Sequence, residues 1–185
     1  MKAFLVVDIH GCFGWYAEQI EVDQTKKQVA LATKNKLKEA RRGGEIIIFA
    51  MMPDCGGQEF QISKNRKCIG CDTADPLAEF LEHRHGYEYE AVFYKNRSNA
   101  FINLNLAEYL RSKSVTEIVL LGCTTFGCVL STALGALENG FNVTLPADCT
   151  YPPLETYYEG NGKKQWLEIA RTRAKLTNNN LVQIE

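Results

Sequence analysis

Residues 117–143, EIVLLGCTTFGCVLSTALGALENGFNV, predict a strand, a helix and a second strand in direct succession. EIVLLG (117–122) is apolar on both faces, residues 125–139 have the pattern of a helix, and FNVTLPAD (141–148) is again a strand. Strands that are apolar on both faces are typical of parallel sheets covered by helices on each side. The stretch therefore predicts one unit of an α/β fold.

The rest of the chain repeats this alternation. Further strands are predicted at 3–8, 45–51, 91–95 and 180–185, and helices at 23–42, 104–113 and 163–176. The alternation predicts a three-layer, doubly wound, Rossmann-like α/β fold, with a mainly parallel six-stranded sheet and helices on both faces. The chain shows neither an internal repeat nor a linker, so residues 1–185 are predicted to form a single domain. Residues 52–74 and 149–162 are predicted as long loops.

Composition and charge argue against several classes of protein. The chain is 45% hydrophobic and 23% charged, as globular proteins are. Its formal net charge of -1 argues against a nucleic-acid or anionic-membrane surface, which would need a basic patch. No apolar run is long enough to span a membrane, and the run that ends at Asp8 is too short for a signal peptide. We therefore expect a cytoplasmic protein with reduced cysteines and no nucleic-acid or membrane partner.

The ends of the predicted strands carry reactive side chains. In a doubly wound sheet, ligands bind outside the carboxyl ends of the strands, where this chain places Asp8, Lys95 and Cys128. A nucleophilic thiol needs either a lowered pKa or a neighbouring base. Asp8 could accept the thiol proton, while Lys95 and the first turn of the following helix could stabilise the thiolate. From the residues alone, the trio is either a catalytic site or two structural charges beside a core cysteine.

Sequence motifs then add a resemblance to a known family. FLVVDIHGCF (4–13), VFYKNRSNAF (92–101) and GCTTFGCVLSTALGALENGFNV (122–143) occur in the order and spacing of three family motifs. Through them the chain resembles the isochorismatase-like cysteine hydrolases. That family includes nicotinamidases, enzymes of the N-carbamoylsarcosine amidohydrolase type, and isochorismatases.

The resemblance implies roles for individual residues. Cys128 would be the nucleophile, Asp8 the general base and acid, and Lys95 the neighbouring cation. It also implies a cis peptide bond between Cys123 and Thr124, with the N–H groups of Thr124 and Cys128 as the oxyanion hole. Family members are commonly oligomers, so a homo-oligomer is implied. No cofactor or metal is expected for these steps.

The loop after the second strand departs from the nicotinamidases. They carry an Asp-x-His metal motif there, whereas this chain has FAMMPDCGGQEF (49–60), which argues against nicotinamidase activity. The loop contains Cys55 and the pair Cys68 and Cys71 instead. These cysteines could bind zinc, cycle as a redox couple or remain unpaired thiols.

The residues after the first strand are predicted to line the substrate pocket. His10 stands where the family usually has a glutamine, and it could contact the substrate, tune Asp8 or be a packed imidazole. Phe13 and Trp15 could form a wall of the pocket, anchor their loop or do both.

Two residues flanking Cys128 have structural interpretations. Cys123 ends a buried strand, where a free cysteine packs as a small apolar residue. Thr132 lies one turn after Cys128 on the same helix face, where it could support the thiol or pack the helix.

Together, these features predict a hydrolase that cleaves a small-molecule amide, carbamoyl or ureido C–N bond through a thioester on Cys128. One alternative is an isochorismatase-type enol-ether hydrolase, which needs Asp8 as an acid but no nucleophilic thiol. The other is a non-catalytic module that binds zinc or exchanges thiols through Cys55, Cys68 and Cys71.

Overall fold

Seven strands form a single sheet in the computed structural model, which describes residues 1–9, 23–51, 90–173 and 182–185. The strands are β1 (Lys2–Val7), β2 (Ile46–Met51), β3 (Glu90–Tyr94), β4 (Glu117–Cys123), β5 (Asn142–Leu145), β6 (Thr150–Tyr151) and β7 (Val182–Ile184). The α-helices of the described ranges are α1 (Gln24–Arg42), α2 (Leu104–Ser112), α3 (Leu130–Glu138) and α4 (Gly162–Arg173).

The strand order confirms the predicted doubly wound sheet. The order is β3-β2-β1-β4-β5-β7, β6 pairs with the end of β4, and every pair is parallel. Six of the strands lie where the apolar runs predict them. The seventh, β6, falls in the segment predicted as a loop, because two residues are too few to show a strand's periodicity.

Helices cover both faces of the sheet, as the continuous apolar strands predict. One face packs against α2, α3 and α4 through buried residues that include Leu5, Ile48, Leu120, Leu106, Ala133 and Trp166. The other face packs against α1 through Phe4, Phe49, Leu121, Val29 and Leu37, among others. None of the helices in the described ranges is both long and apolar enough to cross a membrane.

Helix α1 shows how the sequence sets the ends of an element. The Asp23 side chain accepts a hydrogen bond from the Lys26 N–H (3.0 Å) and caps the helix start. The helix ends before Gly43, and Gly44 has a φ of 67°, a left-handed conformation that glycine adopts without steric cost.

Helix α3 differs from its prediction in a way that affects the site. Residues Thr125–Val129 form a π-helical turn, and the α-helix begins only at Leu130. Gly127 interrupts regular helix geometry, with φ -105° and ψ -105°. Cys128 therefore lies in the π-helical turn and not, as predicted, in the first turn of an α-helix.

The register of the sheet brings the predicted strand ends together. Val7 is paired with Ala50 on one side and with Gly122 on the other, and Met51 is paired with Tyr94. Asp8, Cys123 and Lys95 thus occupy the carboxyl edge of neighbouring strands. Strands β2 and β3 lie on one side of β1, and β4 lies on the other. The direction in which strands are added therefore reverses at β1, and Asp8 lies at this switch point, where doubly wound folds bind ligands.

Candidate active site

A buried ion pair between Asp8 and Lys95 forms the centre of the site. Lys95 Nζ donates to Asp8 Oδ2 at 2.6 Å, and the Lys95 and Asp8 side chains are 1% and 0% exposed. The Asp8 N–H donates to the Ala50 carbonyl (3.0 Å), and the Lys95 N–H donates to the Met51 carbonyl (2.9 Å). Strand β2 lies between β1 and β3, so the backbones of the pair are two strand spacings apart, roughly 10 Å. Only a long side chain such as lysine bridges that distance.

The backbone of Asp8 is held by the end of β4. Asp8 has a φ of 52°, which is uncommon for a residue other than glycine. The Cys123 thiol donates to the Asp8 carbonyl at 3.0 Å. Cys123 is 2% exposed and packs in the core as predicted, but it also has this polar role, which the sequence did not indicate.

The Cys128 thiol lies beside the ion pair, and its surroundings raise its pKa. Burial raises the pKa of Cys128 above its ordinary value, and the negative charge and hydrogen bonding of Asp8 raise it further. The charge of Lys95 and hydrogen bonding to Ser98 lower the pKa, but they do not outweigh the other effects. The sequence left two possibilities open, a thiolate stabilised by Lys95 and the helix turn, or transfer of the thiol proton to Asp8. The raised pKa of Cys128 favours proton transfer to a neighbouring base.

This arrangement predicts how Cys128 reacts with an alkylating reagent. We expect iodoacetamide to label Cys128 slowly at neutral pH, and the rate to rise about tenfold per pH unit to beyond the ordinary thiol pKa of 9.0. Peptide-resolved mass spectrometry of the native protein separates Cys128 from the other cysteines. A labelling rate that has already reached its plateau at neutral pH would contradict the raised pKa.

Asp8→Asn provides the matched variant for this measurement. It removes the carboxylate whose charge raises the Cys128 pKa and leaves the Lys95 charge, which lowers it. We expect labelling at neutral pH to become about 10-fold faster, because the pKa of the Cys128 thiol falls when the Asp8 charge is removed. Circular dichroism of the variant shows whether it keeps its fold.

The π-helical turn carries the groups predicted as the oxyanion hole. The peptide bond between Cys123 and Thr124 is cis, which confirms that expectation. The Thr124 carbonyl accepts from the N–H groups of Gly127 (2.9 Å) and Val129 (3.1 Å), and the Thr124 side chain is exposed. Thr124 and Cys128 thus lie at the two ends of one hydrogen-bonded turn, which also carries the Cys128 thiol. The use of their N–H groups for an oxyanion stays a prediction.

Residues distant in sequence anchor this turn at Thr125. The Thr125 hydroxyl donates to the Pro152 carbonyl, and the Trp166 indole N–H donates to the Thr125 carbonyl at 3.1 Å. Thr125 and Trp166 are both 0% exposed. The sequence shows Trp166 only as an apolar position of a predicted helix, so nothing in the pattern could have indicated its hydrogen bond.

Trp166→Phe tests this anchor. Phenylalanine keeps an aromatic ring in the core but leaves the Thr125 carbonyl without its donor. We expect a loss of about 1–3 kcal/mol in the free energy of unfolding. We also expect a fall in kcat of roughly 10- to 100-fold with little change in KM, because a displaced Cys128 thiol would lose its predicted alignment with the substrate.

Denaturant unfolding and steady-state kinetics measure these two effects of Trp166→Phe. Ile169→Val on the same helix is the control, since it removes one methylene from a side chain packed against the core. It should cost about 0.5–1.5 kcal/mol of stability and leave kcat unchanged. An unchanged kcat in Trp166→Phe would show that the anchor has no part in catalysis.

The segment predicted as the loop 149–162 packs against the same turn. The Phe126 ring lies 4.5 Å from the ring of Tyr157 and 5.4 Å from that of Tyr158, measured between centroids. Burial raises the pKa of Tyr157 above its ordinary value. The segment therefore supports the π-helical turn through aromatic contacts as well as through Pro152.

Several predicted site residues lie outside the part of the chain that the structure describes. They are His10, Phe13, Trp15, Cys55, Cys68 and Cys71. Pocket lining by the first three, and metal binding or redox chemistry by the cysteines, stay predictions.

Comparison with known proteins places the chain in a family. A family model described as an isochorismatase domain matches residues 2–160. Maleamate amidohydrolase of Pseudomonas putida is 35% identical over 75 residues, which are 40% of this chain and 35% of that enzyme. The chain thus spans about a third of the length of this relative.

Solved structures share the fold. The nicotinamidase PncA of Bacillus subtilis superposes with a TM-score of 0.70 at 19% identity, covering 98% of each chain. The N-carbamoylsarcosine amidase of Thermoplasma acidophilum superposes with a TM-score of 0.69 at 17% identity, covering 100% of this chain and 95% of the other.

Proposed function

Because the chain belongs to the isochorismatase family, we propose that it is a cysteine hydrolase that cleaves a C–N bond of a small amide, carbamoyl or ureido compound. The observation that carries the proposal is the buried Asp8–Lys95 ion pair beside the thiol of Cys128. The 35% identity of the matched segment to an enzyme named maleamate amidohydrolase supports an amide as the substrate class.

The reaction begins with proton transfer within the site. Asp8 accepts the proton of the Cys128 thiol as the sulfur attacks the carbonyl carbon of the substrate. The carbonyl oxygen then carries the negative charge, and the N–H groups of Thr124 and Cys128 donate hydrogen bonds to it. Lys95 holds the Asp8 carboxylate in place through its 2.6 Å contact.

The second half of the reaction releases the products. Asp8 returns its proton to the departing nitrogen as the C–N bond breaks, which leaves a thioester on Cys128. Asp8, again a carboxylate, takes a proton from water as the water oxygen attacks the thioester carbon. The carboxylic product leaves, and the thiol regains its proton from Asp8.

Trapping the thioester tests the proposal. Purified protein is incubated with a panel of small amides, carbamoyl compounds and ureides, quenched in acid and analysed by mass spectrometry. We expect a mass adduct of the acyl group on the peptide that contains Cys128. Turnover without any adduct on Cys128, together with cleavage of an enol ether, would instead identify isochorismatase-type chemistry.

We propose that residues 1–185 form one domain and that the enzyme is a cytoplasmic homo-oligomer with a small-molecule substrate. Light scattering of the purified protein measures its mass in solution. A mass equal to that of one chain would contradict the oligomer.

A further inference from the structure

The ammonium group of Lys95 is held by a second contact besides its ion pair with Asp8. Lys95 Nζ donates to Asp8 Oδ2 at 2.6 Å and to the Arg97 carbonyl at 3.2 Å. A lysine side chain is long and flexible, so one contact at its end leaves several rotamers open to it. The Arg97 carbonyl restrains the ammonium from a second direction. The geometry of the ion pair therefore depends on where the backbone of Arg97 lies.

The backbone that follows Arg97 is fixed to helix α3 by a buried hydroxyl. Thr132 Oγ1 donates to the Ser98 carbonyl (3.3 Å) and accepts a hydrogen bond from the Ala100 N–H (3.1 Å). Thr132 is 0% exposed. The Arg97 and Ser98 carbonyls belong to successive planar peptide units, with only two soft dihedral angles between them. The bond from Thr132 to the Ser98 carbonyl therefore limits the position of the Arg97 carbonyl as well.

The Asn99 side chain makes a second contact with helix α3. Asn99 Oδ1 accepts a hydrogen bond from the Phe101 N–H at 2.8 Å, which fixes the orientation of the amide. The amide lies against Gly135, where a Cβ atom would overlap it. Gly135 follows Thr132 by three residues and lies on the same face of the helix. Helix α3 thus holds the backbone after Lys95 at two points, one turn apart.

The two ends of this loop, residues 94–103, are joined to each other. Asn103 Nδ2 donates to the Tyr94 carbonyl at 2.9 Å, directly before Lys95. Asn103 Oδ1 accepts a hydrogen bond from the Asn105 N–H (3.2 Å) and caps the start of α2. The loop is therefore closed at its base and attached to both α2 and α3.

We propose that Thr132 and Asn99 are positioning residues for Lys95. They hold the Arg97 carbonyl in place, so the Lys95 ammonium keeps its contact with Asp8. The inference rests on the proposed function, in which Asp8 is the base of the reaction. In this role neither Thr132 nor Asn99 contacts the substrate or exchanges a proton.

The Lys95 ammonium provides a readout that needs no substrate. NMR of isotope-labelled protein, with the signal assigned through the side-chain carbons of Lys95, measures how fast the ammonium protons exchange with water. Thr132→Val keeps the side-chain shape and removes the hydroxyl. We expect exchange to become about 3- to 10-fold faster, the effect of one lost hydrogen bond. Thr132→Ser restores a hydroxyl and should return the wild-type rate.

Thr144→Val is the matched control for a general loss of stability. Thr144 is 2% exposed, and its Oγ1 donates to Glu117 Oε1 (2.9 Å) and accepts from Gln183 Nε2 (3.1 Å). The control therefore also removes one donated and one accepted hydrogen bond from a buried threonine, but among partners other than the 94–103 loop. It should lower the unfolding temperature as Thr132→Val does and leave the exchange of the Lys95 ammonium unchanged.

Gly135→Ala tests the contact with Asn99 separately. The added Cβ displaces the Asn99 amide, so the Lys95 ammonium should again exchange faster, by a similar factor. In Asn99→Ala the amide is already absent. Adding Gly135→Ala to that variant should therefore cause no further change in exchange.

Wild-type exchange in Thr132→Val or in Gly135→Ala would overturn the proposal, and so would equally fast exchange in Thr144→Val. The first two substitutions lie at different contacts, so either one tests the loop if the other does not fold. With a substrate, kcat of Thr132→Val should fall about 10-fold at unchanged KM. Faster ammonium exchange without hydrolysis of any amide by the wild-type protein would contradict the amidase proposal and still support the positioning role.

Discussion

Cys128→Ala is expected to abolish amide hydrolysis, with kcat reduced about 10⁴-fold or more. The variant loses the atom that we propose attacks the carbonyl, and the neighbouring Cys123 thiol is buried and donates to the Asp8 backbone carbonyl. The fold should remain, since alanine fills most of the volume of a buried cysteine and the change costs about 1 kcal/mol. Turnover assays and denaturant unfolding of the same preparation measure the two effects separately.

The other buried cysteines of the described ranges provide graded controls. Cys149 is 1% exposed and interacts with Asp148, away from the ion pair. Cys149→Ala should therefore keep wild-type kcat. Cys123→Ala loses the donor to the Asp8 carbonyl and should give an intermediate loss of kcat, about 10-fold. Persistent turnover of the same amide by Cys128→Ala would remove Cys128 from the role of nucleophile.

The strands of the sheet were predicted well because a strand that is buried on both faces has a continuous apolar sequence. Strands such as EIVLLG and IIIFAM are continuous apolar runs, and the helices between them carry apolar positions at helical spacing. The start of α3 was predicted less well. Gly127 interrupts the helix locally, but a helical apolar pattern continues through the π-helical turn and hides the interruption.

Only the site residues that stand in local sequence motifs were predicted. Asp8, Lys95 and Cys128 each stand in a recognisable segment, and the parallel sheet brings Asp8 and Lys95 into contact. The supports of the turn were not predicted. The hydrogen bond from Trp166 to Thr125 joins residues 41 positions apart, and no local sequence pattern indicates it. The sequence also left open whether the pKa of Cys128 is lowered or its proton is taken by a neighbour, because burial, the first cause of the raised pKa, depends on the whole fold.

Lys95→Met is the second change with a large expected effect. It leaves the Asp8 carboxylate buried without its 2.6 Å cation partner, and breaking a buried ion pair in this way typically costs about 3–5 kcal/mol of stability. Hydrolysis should fall about 10³-fold or more, because Asp8, the proposed base, is no longer held in place by Lys95. Urea unfolding and steady-state kinetics measure the two losses.

The double variant Asp8→Asn/Lys95→Met separates the two losses. Neutral side chains of similar size remove the unpaired charge, so most of the lost stability should return, while activity should remain absent because the base is gone. A matched control lies at the other end of β3, where Arg41 Nε meets Glu90 Oε1 at 2.7 Å. Arg41→Met should lose stability in the same way and keep kcat. Appreciable hydrolysis by the Asp8→Asn/Lys95→Met enzyme would mean that the ion pair serves only the fold, and the proton would then need another acceptor.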